Sequence, residues 1–100
     1  MTFETFKTEF AAYCGSADTC SRKGRSYALA VVYIAVFLHY TQIDRTVIES
    51  ILSREHELLD ENSLLYRDAL QVLSQERRAS YLKNFFPAAI APLKSFANLL

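Results

Sequence analysis

Tryptophan is absent from the chain, and glycine, proline, cysteine and histidine each occur only twice. Two glycines and two prolines in 100 residues supply little of the turn chemistry that a β-sandwich or β-barrel needs. An all-α fold is therefore the expectation before any periodicity is considered. The two cysteines and two histidines could complete a four-ligand zinc site only if Cys14, Cys20, His39 and His56 all converged from three scattered segments. No metal and no other cofactor is expected. The run from Met1 to Phe10 is polar and amphipathic, not a basic stub followed by an apolar core, so it does not read as a secretory signal. The expected setting is intracellular and cytoplasmic, with reduced thiols. The longest apolar run, Tyr27 to Leu38, holds about twelve residues where a membrane span needs roughly 20, so no membrane is expected as a partner.

Catalytic signatures are also missing. There is no glycine-rich phosphate loop, no G-x-S-x-G, no H-E-x-x-H, and no Cys or Ser with a convincing His partner. No catalytic residue is assigned. The segment Arg54-Glu55-His56-Glu57 reads as solvated ion pairs on a helical face. His39 reads as a helix C-terminal cation or core-edge residue, and Tyr27, Tyr33 and Tyr40 as core residues whose hydroxyls reach the edge.

What the chain does have is a 51% apolar content at zero formal net charge, which excludes disorder and permits a single core. Phe3, Phe6, Phe10 and Tyr13 recur at helical spacing, ended by Gly15 with Ser16 and Asp18. After the polar stretch 15–24 comes an apolar helix over about 25–40, expected to be buried on nearly all faces. Asp44 caps a third helix running to Leu59, and Ser63 caps a fourth to about Leu73. Ser74 is then expected to cap a fifth helix with Arg77 and Arg78 in its first turns. Pro87 is expected in the first turn of a further helix, and Pro92 to bend it. The sum is five or six helices around the central one. Because Leu99-Leu100 stand in mid-pattern, the chain is expected to be the N-terminal domain of a longer polypeptide.

Charge is unevenly spread: residues 1–20, 21–45, 46–76 and 77–100 sum to −2, +3, −5 and +4. Arg22, Lys23 and Arg25 precede or open the central helix, and Arg77, Arg78 and Lys83 lie along the fifth. Cations at helix starts oppose the macrodipole, so local helix stability does not account for them. Together with free backbone N–H groups they could hold phosphate, which makes these six residues the candidate nucleic-acid contacts. The plainer reading is solvated helix ends, with the arginines paired to the acidic 46–76 segment. Zero net charge also argues against strong autonomous DNA binding.

The stretch Ser21-Arg22-Lys23-Gly24-Arg25-Ser26-Tyr27 with its apolar continuation to Phe37-Leu38 resembles the S-x-x-T-x-x-x-Y … F-x-x-F-L pattern of SAM-like core-binding domains. Such domains lie at the N-termini of tyrosine recombinases, and similar modules precede the nuclease domains of some restriction-type endonucleases. Ile43-Asp44-Arg45 resembles the module's hinge, and Ser74 to Leu100 its second half, so the likeness spans nearly the whole chain. Pro87 and Pro92 depart from it, falling where the family has an uninterrupted helix. The resemblance implies a non-catalytic DNA-binding or targeting module of a recombination or restriction protein. It also implies phosphate contacts from Arg22, Lys23, Arg25, Arg77, Arg78 and Lys83. The competing expectation is a protein–protein interaction or self-association domain anchored on exposed apolar residues such as Phe85, Phe86, Leu99 and Leu100.

Overall fold

A computed structural model describes residues 1–16 and 23–100, and all the regular structure in them is helical. The order is α1 (Phe3–Ser16), α2 (Gly24–Phe37), α3 (Arg45–Ser53), α4 (Glu55–Leu59), α5 (Leu64–Gln75), a π-helical turn (Tyr81–Phe85) and α6 (Phe86–Ala97). Six α-helices thus form the expected all-α bundle. α2 is its centre, packing against α1, α5, the π-turn and α6, while α3 packs on α6 and α4 on α5.

The core follows from the helical spacing of the large side chains. Phe6 and Phe10, both fully buried on α1, stack at 5.2 Å and meet the edge of Phe96 on α6 at 5.8 and 5.2 Å. Such edge-to-face pairs add about 0.5–1.5 kcal/mol beyond the burial of their area. The small residues Ala28, Ala30 and Ala35 on α2 are almost wholly enclosed, which lets neighbouring helices approach closely. The chain start is tied in by a two-way backbone pair: Met1 N donates to the Ile43 carbonyl (3.1 Å) and Ile43 N to that of Met1 (2.9 Å).

Two expected caps are present. Asp44 accepts from Val47 N at 2.9 Å and Ser63 from Tyr66 N at 3.0 Å. The Ser63 hydroxyl also donates to the Glu57 carbonyl, which fastens α4 to the start of α5.

α1 ends at Ser16, within the expected Gly15–Ser16 break, Gly15 itself having no positive φ, and Asp18 lies outside the described residues. Several other boundaries differ from the sequence expectation. The third helix breaks at Arg54: the Ser53 hydroxyl donates to the Ser50 carbonyl, the acceptor a continuous helix would give to Arg54 N. Arg54 N donates instead to Ile51. α2 stops at Phe37 rather than near residue 40, and α5 runs through Ser74 to Gln75, so Ser74 caps nothing. Both ends close in the same way. His39 N bonds the Val36 carbonyl and Tyr40 N that of Ala35; Arg77 N bonds Ser74 and Arg78 N bonds Leu73. These are Schellman closures, each with a non-glycine residue in the left-handed region, His39 at φ 70° and Arg77 at φ 60°. Arg77 and Arg78 therefore lie in a turn, and helix resumes only at Ala79.

Pro87 is in the first turn of α6, as expected, and Pro92 lies inside it. In a regular α-helix the Pro87 ring would strike the Lys83 carbonyl, which would also lose its N–H donor. The wider turn just before it, with Phe86 N reaching back to the Tyr81 carbonyl, is how the chain accommodates this.

Candidate functional site

Of the six candidate phosphate contacts, Arg22 lies outside the described residues. Lys23 is the N-cap residue of α2 and Arg25 is in its first turn, both exposed. Arg25 lines a shallow recess with Glu4, Lys7, Thr8, Ala11 and Leu29, between α1 and α2. Lys83 lines a different one with Glu61, Tyr66, Arg67 and Leu70. Arg78 lines a third, its guanidinium 4.4 Å from the ring centre of Tyr33 and 3.2 Å from the Glu76 carboxylate. Tyr33 stands ten residues along α2 from Lys23, a rise of about 15 Å. Arg78 thus sits toward the opposite end of α2 from Lys23 and Arg25, and Arg25, Arg78 and Lys83 line three separate recesses. Among the described residues, Lys23, Arg25, Arg77 and Lys83 form no ion pair, whereas the acidic segment pairs locally (Arg45–Glu49, Arg54–Glu57) and with Lys94 (Glu55, 3.1 Å).

The proposed apolar anchors fare unevenly. Phe86 is fully buried and available to nothing outside the core. Phe85 is half-buried, its ring 5.5 Å from Tyr81 and 6.3 Å from Tyr27. Leu99 and Leu100 are exposed, Leu99 at 67%.

A further concavity has Arg78 at its edge, but its apolar walls are not among the expected site residues. A cleft of about 500 Å³ opens between the C-terminal halves of α2 and α5, walled by Val32, Tyr33, Val36 and Phe37 on one side and Val72 and Leu73 on the other. Glu76, Arg78 and His39 stand at its rim. Its volume falls in the range of ordinary ligand and side-chain pockets, roughly 300–1,000 Å³. Val36 is 51% and Val72 40% exposed, so this is the face on which α2, expected to be buried on nearly all faces, stays open. The two Schellman closures turn the chain away at His39 and Arg77 and leave these valines uncovered. One wall is stiffened by a run of rings: Arg78 lies over Tyr33, Tyr33 meets Tyr81 edge-on at 5.0 Å, and Tyr81 meets Phe85. The stacked guanidinium is worth about 0.5–1 kcal/mol at such an exposed site. Chemically the cleft offers apolar contact inside a polar rim.

The signal that could have found it is the line Arg25, Leu29, Val32, Val36. These residues stand at i, i+4, i+7 and i+11 on one face of α2.

Among the described residues no group of three or more His, Cys, Asp or Glu is placed to hold a metal ion. No helix of the described residues is long and apolar enough to cross a membrane. Compared with protein-family models, curated proteins and solved structures, the chain matches none.

Proposed function

We propose that this domain is a non-catalytic interaction module that receives an apolar ridge of a partner polypeptide in the cleft between α2 and α5. The single observation that carries the reading is the cleft's composition: exposed Val36 and Val72 at its centre, Glu76, Arg78 and His39 at its edge. An apolar centre within a polar rim is the anatomy of a protein interface. The three valines of the walls lose little side-chain freedom on binding, which favours association. The test is a titration with amphipathic helical peptides carrying leucine at i, i+4 and i+7, followed by the methyl resonances of Val32, Val36 and Val72. The expected result is shifts confined to those methyls and abolished by Val36→Glu. Peptides that leave them unmoved refute the reading.

A second reading is favoured by the exposure of Lys23, Arg25, Arg77 and Lys83, none of which has an ion-pair partner among the described residues: a phosphate-contacting, DNA-targeting module. It is tested by salt titration of binding to a generic DNA duplex, with Arg77→Ala/Arg78→Ala as the control. Each lost phosphate contact lowers the salt dependence by about one unit of slope. No binding at low salt, or binding indifferent to the double substitution, removes it.

A further inference from the structure

We infer that the partner seated on this face is a second copy of the same chain, docked with its α2 antiparallel to the first. The inference rests on the reading of the cleft as an interaction surface, and charge complementarity selects the occupant. Arg25, Leu29, Val32 and Val36 form one line along α2, with Arg25 and Val36 exposed at its ends, Leu29 half-buried and Val32 buried between them. The line starts basic and ends in the apolar cleft. Within one chain this distribution is unfavourable: Lys23 and Arg25 crowd the positive end of α2, whose first turn has no acid, and neither α2 nor α5 has a base in its last turn. Glu76, just past α5, adds negative charge at the cleft rim and is half-exposed despite its contact with Arg78.

A two-fold axis near Val32 reverses each of these relations. Leu29 of one copy faces Val36 of the other and enters its cleft. Arg25, one turn or about 6 Å further on, reaches the carbonyl end of the other α2 and the Glu76 carboxylate. The pairing is isologous, so every contact is made twice. A parallel pairing would set Arg25 against Arg25, and thereby excludes itself.

Sedimentation velocity from micromolar to submillimolar concentration tests the inference. The wild-type chain is expected to dimerise reversibly. Val36→Glu, at a position exposed enough to leave the fold intact by circular dichroism, is expected to raise the dimer Kd about tenfold or more. Arg25→Glu is expected to weaken the dimer, and Arg25→Glu/Glu76→Arg to restore it. A wild-type chain that stays monomeric overturns the inference, as does a dimer indifferent to Val36→Glu. Failure of the charge exchange to restore pairing overturns the antiparallel register. If the chain is monomeric and helical peptides still shift the Val36 and Val72 methyls, self-pairing falls while the interaction reading stands. If the peptides also fail, both fall.

Discussion

Gly24 opens α2 where that helix crosses α1, and replacing it with alanine sets two opposed effects against each other. A Cβ at this position lies 2.8 Å from the Ala11 carbonyl oxygen and 3.0 Å from the Cys14 Cβ. The first neighbour is backbone in the middle of α1, so relief requires moving a helix that carries the fully buried Phe10 and Cys14. Overpacking of this kind costs about 1–3 kcal/mol. In the other direction, alanine narrows the unfolded ensemble by about 0.4–1 kcal/mol, and its helix propensity helps least at a first helical position. The net expectation for Gly24→Ala is a loss of about 1–2 kcal/mol. Gly15→Ala isolates the steric part, because nothing lies within 4 Å of its Cβ. That variant is expected to gain up to about 1 kcal/mol. Urea unfolding of both variants measures the difference, and thermal unfolding should show about 4–8 °C per kcal/mol for a domain of this size. If Gly24→Ala is as stable as the parent, or moves in step with Gly15→Ala, the argument from close helix approach is wrong.

Three further outcomes are expected. Arg77→Gly and His39→Gly should each raise stability by about 0.5 kcal/mol in thermal unfolding, since the left-handed backbone at φ 60° and 70° costs an L-residue about 1 kcal/mol and glycine returns part of that as entropy. Asp44→Ala and Ser63→Ala should each lose about 1 kcal/mol in urea unfolding. Ser63→Ala should lose the more, because its hydroxyl serves both Tyr66 N and the Glu57 carbonyl. Burial, and secondarily the Glu61 carboxylate, push the Tyr66 phenol above its ordinary value of 10.0. The folded state therefore keeps this proton after the unfolded state has begun to lose it. The contribution is complete below pH 10.0 and is lost as pH rises through the folded value, so Tyr66→Phe should flatten the alkaline fall in stability measured by urea midpoints.

What the sequence disclosed is what local chemistry alone decides. Asp44 and Ser63 are recognisable caps because a short side chain with an acceptor oxygen before an apolar run satisfies a helix start wherever the rest of the protein lies. The apolar periodicity of Phe6 and Phe10, and the centrality of α2, were legible for the same reason. The misread boundaries depend on competition between alternatives. A positive φ closes a helix at His39 and at Arg77, where the residue type gives no hint. The break at Arg54 depends on one serine rotamer, and the π-turn on where Pro87 falls relative to packing against α2. The line Leu29, Val32, Val36 marks only one wall of the cleft, because a cleft is a property of two helices meeting. Val36 and Val72 look like core residues until both chain reversals leave them outside.

The arrangement around α2 has a further consequence. An apolar helix at the centre of a bundle needs neighbours on every side. Here α1, α5, the π-turn and α6 cover most of the circumference, while α3 and α4 lie against α6 and α5 and widen the bundle without closing it. The uncovered side, at the C-terminal end of α2, holds exposed Val36 and Val72 and left-handed His39, with left-handed Arg77 just after α5, while the basic start opposed to its dipole stands at the other end of α2. The left-handed residues cost about 1 kcal/mol each, and glycine could relieve either at no cost in contacts made by the backbone. The exposed apolar surface lies at one end of α2 and the adverse positive charge at the other, and a second α2 laid antiparallel, as inferred above, sets each end against its complement.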